Sequence, residues 1–126
     1  MVRWASPVMT FKRTCVQDYV LADVDVKAGE QVVMFYPSGN WDTTVFAHPQ
    51  RFDLSRNPNP HLGFGGGGSH FCLGSQVARA QLRALFRELL TRIPDFRTGT
   101  PVMLAGNFIH GIKSMPITFT PETPAR

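Results

Sequence analysis

Apolar residues in the second half of the chain recur at the spacing of one helical face. Six residues share that face at positions i, i+3, i+4, i+7, i+8 and i+11: Leu82, Leu85, Phe86, Leu89, Leu90 and Ile93. This period is typical of an amphipathic helix with one apolar stripe. Pro94 cannot continue a helix, so the helix is expected to end beside it.

Residues 9–16 alternate with the period of two that a half-buried strand has. Met9, Phe11, Arg13 and Cys15 fall on one face of this predicted strand. A charge on an otherwise apolar face requires an anion nearby, so Arg13 is either a paired structural ion or a ligand contact.

Three further stretches predict strands. Residues 19–36 indicate two strands joined by a turn at 27–29, with the second strand, 31–36, buried. Residues 102–104 and 117–120 indicate strands around a loop or hairpin at 105–111. Together with the helix, these strands predict an α+β fold.

Residues 37–68 have neither a helical nor a strand period, and they contain four prolines. Loops this long in compact domains are usually functional or disordered. Apolar side chains recur along the segment, at Trp41, Phe46, Phe52 and Leu54. They favour an ordered meander.

Composition limits the function classes. A chain of 126 residues that is 43% hydrophobic is expected to form a single unit over residues 1–126. Two cysteines are too few for a disulfide framework, and the sequence resembles neither a signal peptide nor a transmembrane segment. A reducing cytoplasm is therefore expected. The net charge of +4 is spread along the chain, which argues against nucleic-acid binding.

A glycine-rich loop brings Cys72 to the start of the predicted helix. The loop, residues 64–74, reads Phe-Gly-Gly-Gly-Gly-Ser-His-Phe-Cys-Leu-Gly. Unpaired N–H groups and the positive end of the helix dipole favour an anion there, such as a thiolate ligand. The alternative from the residues alone is a small buried cysteine in a flexible loop.

Two other uses of such a loop fit less well. Zinc requires several Cys or His ligands at short spacing, and no Cys-x-x-Cys or His-x-x-x-His pattern occurs. A phosphate-binding loop requires a hydrophobic strand before the glycines and Lys-Ser/Thr after them. Here the glycines are preceded by a Pro- and Asn-rich stretch and followed by His70-Phe71-Cys72.

The loop resembles the haem-binding signature of the cytochrome P-450 family of haem-thiolate monooxygenases. The shared features are an aromatic residue, glycines, a basic residue two before the cysteine, and Cys-Leu-Gly. Phe64 stands eight residues before Cys72, one more than in the family's common form. The pattern is most similar to bacterial, especially mycobacterial, sterol and branched-lipid hydroxylases.

The resemblance implies a fold and a set of site residues. The chain would be the C-terminal part of the mainly α P-450 fold, with short β-hairpins, a meander, the Cys loop, one long amphipathic helix and a terminal β-hairpin. Cys72 would ligate the iron of haem b. The residues implied to contact the cofactor are Arg13, Phe64, Gly65, Gly68, His70, Gly74 and Ala78, with Arg13 and His70 on the propionates.

The remaining implied roles lie outside the cofactor. Arg3 and Arg51 would belong to a structural ion network, whose glutamate would precede Met1. Arg79 would face an electron donor, either a ferredoxin or a flavoprotein. The implied substrate contacts are Val8, Met9, Phe108 and Ile109.

The implied activity is O2-dependent hydroxylation of a lipophilic substrate, a sterol or a branched lipid. The family's distal oxygen-activating motif is not found, because residues 41–44, Trp-Asp-Thr-Thr, lack its glycine and break the helical period. The alternative is therefore a catalytically inactive remnant with at most residual haem binding, which folds poorly and leaves a haem face exposed. Little or no turnover is expected of these residues alone.

Overall fold

The computed structural model describes residues 1–121. These residues form two compact units. Unit 1 comprises Met1–Gly63 and Ala105–His110, and unit 2 comprises Phe64–Leu104 and residues 111–121. The secondary structure mixes helices with short strands, as the α+β prediction requires.

Unit 1 contains two short helices and two antiparallel strand pairs. In chain order its elements are α1 (Val2–Ala5), β1 (Thr10–Thr14), β2 (Tyr19–Leu21), β3 (Val24–Val26), β4 (Gln31–Phe35) and α2 (Tyr36–Asn40). β1 pairs with β4, with Thr10 opposite Phe35 and Thr14 opposite Gln31. β2 pairs with β3 as a tight hairpin.

The strand predictions in this unit need two corrections. Residues 19–36 form three strands rather than two, because Ala22 adopts a positive φ of 52° and turns the chain back between β2 and β3. β4 is not buried: Val33 is 46% exposed and Phe35 63% exposed. β1 and β4 form a sheet of only two strands, and no further strand or helix covers both of its faces within unit 1.

Residues 37–68 are ordered but begin with a helix that the sequence did not predict. α2 carries Pro37 in its first turn, where the missing N–H group is not needed. Asp42 then closes a turn, because its Oδ1 accepts hydrogen bonds from the N–H and hydroxyl groups of Thr44 at 2.8 and 2.6 Å. This turn confirms that residues 41–44 are not helical.

Unit 2 is built on the long helix that the apolar stripe predicted. Its elements are α3 (Ser75–Arg92), β5 (Arg97–Thr98), β6 (Val102–Met103), β7 (Ile112–Ser114) and β8 (Ile117–Thr118). α3 ends two residues before Pro94, as expected. β5 pairs with β8 and β6 with β7, so the terminal strands form two antiparallel pairs instead of one hairpin.

Few side chains are fully buried. Among the strongly hydrophobic residues within residues 1–121, Val26 and Phe46 are buried, and Pro49 is buried as well. Arg3, Ser6, Asn40 and Ser75 are the buried polar ones. No helix within residues 1–121 combines the length and apolar character that crossing a bilayer requires.

Candidate functional site

Cys72 lies between the glycine loop and α3 and carries a free, exposed thiol. Its N–H group donates to the carbonyl oxygen of Phe64 at 2.9 Å, which closes the loop at its base. Its own carbonyl accepts the N–H group of Ser75 at 3.1 Å, which leads into the helix. The sulfur is therefore presented from a main chain that is fixed on both sides.

Glycine is required by the conformation of this loop. Gly65, Gly67 and Gly68 have φ angles of +94°, +106° and +72°, which other residues rarely adopt. Gly74 sits at the N-cap of α3, and a Cβ atom added there would lie 4.0 Å from Cys72 Sγ. The loop thus brings bare backbone close to the thiol.

The start of α3 offers unpaired donors beside the cysteine. No protein acceptor within residues 1–121 receives the N–H groups of Leu73 and Gly74. Ala78 N–H bonds to Gly74 O at 2.8 Å, and the Ala78 side chain is half-buried. Such donors at a helix N-terminus stabilise an anion, and a thiolate is one.

Phe64 is held from the helix side as well. The guanidinium carbon of Arg79 lies 4.9 Å from the centroid of the Phe64 ring. Arg79 is half-buried, whereas Arg83 and Arg87 on the same helix are exposed. His70 is exposed at the other end of the loop, and its predicted propionate contact stays a prediction.

In unit 1, Arg3 is only 4% exposed and forms the centre of a polar cluster. Its Nη1 and Nη2 atoms donate to Asn40 O at 2.6 Å and Pro49 O at 2.9 Å. Its guanidinium carbon lies 4.9 Å from the Phe46 ring centroid. Burial lowers the pKa of Arg3, and the positive charge of Arg56 lowers that pKa further.

Asn40 completes this cluster and was not singled out from the sequence as a site residue. Its side chain is fully buried, donates to Ser6 Oγ at 2.9 Å and accepts the N–H group of Leu62 at 2.7 Å. Ser6 in turn donates to Arg3 O at 2.7 Å. An asparagine at the end of a Pro-Ser-Gly turn carries no sequence signal for such burial.

The arginine that packs beside Arg3 is Arg56. It lies 5.9 Å from the Phe46 ring centroid and donates to Ala47 O at 2.9 Å and His48 O at 3.2 Å. Arg51 is exposed and lines an approximately 450 Å³ cavity together with Asp53 and Arg56. Its predicted place in the ion network with Arg3 stays a prediction.

The predicted substrate residues come together within unit 1. Met9 N–H donates to Phe108 O at 2.8 Å, and Val8 forms a β-bridge with Ile109. The Phe108 ring packs edge-on against Phe11 with centroids 5.5 Å apart. Arg13, by contrast, has an exposed side chain whose Nη1 donates to Lys12 O at 2.9 Å.

The residues around Cys72 fit a haem iron better than a zinc ion. Haem iron can be held by a single protein thiolate, and Cys72 supplies one accessible sulfur beside two N–H groups that have no acceptor within residues 1–121. A structural zinc ion takes four protein ligands, and residues 1–121 contain no cluster of three or more His, Cys, Asp or Glu side chains. The donor set and the bare glycine backbone therefore suit a flat cofactor.

Comparison with known proteins points to one family. A model of the family described as Cytochrome P450 matches residues 1–94. The chain is similar to a methyl-branched lipid omega-hydroxylase of Mycobacterium tuberculosis, with 51% identity over 121 residues, 95% of this chain and 28% of the relative. It is also similar to a steroid C26-monooxygenase of Mycolicibacterium smegmatis, with 44% identity over 98% of this chain and 31% of the relative.

Solved structures agree. A cytochrome P450 of Mycobacterium marinum in complex with pseudoionone has a TM-score of 0.91 and 64% identity, covering 94% of this chain and 28% of that one. A P450BioI structure in complex with an acyl-ligated acyl carrier protein has a TM-score of 0.90 at 32% identity and covers 94% of this chain. The chain thus spans between a quarter and a third of the length of these relatives.

Proposed function

Because this chain belongs to the cytochrome P450 family, we propose that it binds haem b through Cys72 as the haem-binding part of a lipid-hydroxylating monooxygenase. The observation that carries the proposal is the exposed Cys72 thiol, held between the Phe64 carbonyl and the first turn of α3. The glycines around it leave room for a planar ring.

This chain's residues would act on the cofactor by holding it. The Cys72 thiolate would hold the haem iron, and the N–H groups of Leu73 and Gly74 would hydrogen-bond the sulfur and reduce the electron density that it donates to the iron. When bound, haem with a thiolate ligand supplies the O2 chemistry that inserts one oxygen atom into a C–H bond. Phe64, Gly65, Gly68 and Ala78 would line the ring, and Arg13 and His70 are proposed for its propionates.

We further propose a lipophilic substrate of the branched-lipid or sterol class. Two similar relatives are named as a methyl-branched lipid omega-hydroxylase and a steroid C26-monooxygenase. The main chains of Val8, Met9, Phe108 and Ile109 meet in unit 1, and the apolar side chains of these residues suit a hydrocarbon. Electrons would come from a ferredoxin or a flavoprotein in a reducing cytoplasm.

A second candidate is haem binding without turnover. The observation that favours it is the exposure of two leucines of the apolar stripe of α3, Leu85 at 54% and Leu90 at 60%. Apolar side chains at this level of exposure contribute little to stability. Supplying ferredoxin, its reductase and a methyl-branched fatty acid tells the two apart, because only a monooxygenase yields product heavier by one oxygen atom.

The decisive test is haem reconstitution of the 126-residue chain, followed by the ferrous carbon monoxide spectrum of wild type, Cys72→Ser and Cys15→Ser. Cys15 is the matched control, because its sulfur already donates to Gln17 O at 2.8 Å. We expect a thiolate-type band in wild type and Cys15→Ser and none in Cys72→Ser. Absence of the band in wild type would refute haem-thiolate binding, and persistence in Cys72→Ser would refute the assignment of the ligand.

A further inference from the structure

Arg79 has two properties that distinguish it from the other arginines of α3. It is half-buried, and its guanidinium stacks on the Phe64 ring, with 4.9 Å between the guanidinium carbon and the ring centroid. Arg83 lies one turn further along the helix and is exposed. A solvated cationic face would leave both arginines free, so Arg79 is engaged in a specific contact.

The partner of this contact is the residue that closes the cysteine loop. Phe64 O accepts the N–H group of Cys72 at 2.9 Å. The four residues after Phe64 are all glycines, which have no side chains with which to hold the loop. Phe71 N–H adds one internal bond to Gly68 O at 3.1 Å. A contact that restrains the Phe64 ring therefore also helps to restrain the Phe64 carbonyl.

The contacts among Cys72, Arg79 and Phe64 form a closed cycle. From Cys72 the chain enters α3 through the bond from Ser75 N–H to Cys72 O at 3.1 Å. One turn later, Arg79 reaches back to Phe64, and Phe64 returns to Cys72 through its carbonyl. A helix is stiff over this distance, so the guanidinium is a fixed point against which the loop can be placed.

We propose that Arg79 is a positioning residue that fixes Phe64 and, through it, the main chain of Cys72. The loop's glycines have a large conformational entropy to lose, and the cation–π contact offsets part of that loss. This role of Arg79 belongs to the chain itself and needs no cofactor. Its consequence for iron ligation rests on the proposed function.

This role differs from docking of an electron donor, which would need the Arg79 charge free at the surface. The two roles make different predictions for the protein alone. A docking arginine can be neutralised without any effect on the Cys72 amide. Neutralising a positioning arginine does affect the Cys72 amide, because the Phe64 ring then loses a contact and the bond from Cys72 N–H to Phe64 O is weakened.

The test is amide hydrogen exchange of the full chain, comparing wild type, Arg79→Gln and Arg83→Gln. Glutamine keeps the helix propensity and removes the charge, and Arg83 is the matched exposed control. We expect the Cys72 amide to exchange about threefold to tenfold faster in Arg79→Gln, the range that corresponds to a half-buried cation–π contact. Arg83→Gln should stay within twofold of wild type.

Phe64→Leu completes a double-mutant cycle. In the Phe64→Leu background, Arg79→Gln should change Cys72 exchange by less than twofold, because the ring is already absent. An unchanged Cys72 rate in Arg79→Gln would overturn the proposal. So would an equal rise at the Leu85 and Leu89 amides of α3, because the effect would then be general loss of folding.

A second measurement keeps this proposal separate from haem binding. In haem-reconstituted protein, Arg79→Gln should lower the fraction of thiolate-type ferrous carbon monoxide band, and Arg83→Gln should not. If wild type takes up no haem, the proposed function fails, and amide exchange still decides the role of Arg79. If haem binds normally while exchange in Arg79→Gln matches wild type, the positioning role fails and the proposed function stands.

Discussion

Replacing Asn40 by alanine should destabilise unit 1 by about 3 kcal/mol. The Asn40 side chain is fully buried, with one bond to Ser6 Oγ and one from Leu62 N–H. Losing the acceptor leaves the Leu62 N–H unsatisfied, which costs about 1–3 kcal/mol, and losing the bond to Ser6 costs about 1 kcal/mol more. The cavity left by the missing amide lowers the free energy of unfolding by up to about 1 kcal/mol more.

The bond from Arg3 survives this substitution, because Arg3 Nη1 donates to the main-chain carbonyl of Asn40. The predicted loss therefore isolates the side-chain amide. Asn107→Ala is the matched control, since Asn107 is exposed and receives the Thr10 hydroxyl through its main-chain oxygen. That variant should change the free energy of unfolding by less than about 0.5 kcal/mol.

The assay is equilibrium urea denaturation followed by tryptophan fluorescence. Both tryptophans, Trp4 and Trp41, lie in unit 1, with ring centroids 5.1 Å apart, so the emission reports this unit. We expect the Asn40→Ala midpoint to fall well below that of wild type and of Asn107→Ala. Equal midpoints for the two variants would refute the reasoning that the buried amide organises this cluster.

Two other predictions concern unit 2. Asp95 accepts the hydroxyl and N–H groups of Thr120, and these bonds, the hydroxyl's first, hold the Asp95 pKa below its ordinary 3.8. The folded state thus favours the Asp95 carboxylate. Its contribution to stability is therefore present above pH 3.8 and is lost as pH falls through the lower pKa of the folded state. An Asp95 midpoint at or above 3.8 in an NMR titration would contradict this. Gly65→Ala should lower the opening free energy at the Cys72 amide by about 1–2 kcal/mol, because alanine is strained at φ +94°. In the same exchange experiment, Gly106→Ala should be near neutral, since its Cβ would meet nothing within 4 Å, and equal effects would count against strain as the cause.

Local features of the sequence predicted the elements that local forces decide. The position and the end of α3 followed from a helical period and from Pro94, and both are properties of neighbouring residues. The turn at 27–29 followed from Gly29, whose φ is +89°. The position of Cys72 before α3 followed from the same reasoning, because a glycine run and a helix start are both local.

Burial was predicted less well, because it depends on what packs from elsewhere. β4 reads as a buried strand but pairs only with β1 and leaves Phe35 63% exposed. The stripe of α3 is half-buried at Leu82 and Leu89 and exposed at Leu85 and Leu90. α2 was missed because Pro37 and Gly39 disfavour helix, whereas its last residue, Asn40, is fixed by contacts with distant residues.

The environments of Arg51 and Arg56 likewise depend on contacts with residues distant in sequence. The family resemblance singled out Arg51, and the structure adds Arg56 as a residue whose guanidinium approaches Phe46 and Arg3. Two positive charges beside one ring repel each other, and the one salt bridge within residues 1–121 joins Lys27 to Asp18 elsewhere. Carbonyl oxygens and the Phe46 ring must therefore stabilise both charges. The pKa of Arg3 is nevertheless lowered, first by burial of its guanidinium and then by the positive charge of Arg56.

Each of the two units has an arginine that contacts the aromatic ring of a loop residue. Fully buried apolar side chains are few within residues 1–121, so apolar burial alone cannot fix long glycine- and proline-rich loops. In unit 1 the Phe46 ring meets Arg3, and in unit 2 the Phe64 ring meets Arg79. In each case the arginine extends from a helix and holds a loop through a ring. A planar guanidinium can do this where lysine cannot, because it stacks on the ring while its N–H groups still bond carbonyls. We therefore expect the order of the loop that presents Cys72 to be more sensitive to Arg79 than to any single apolar residue of α3.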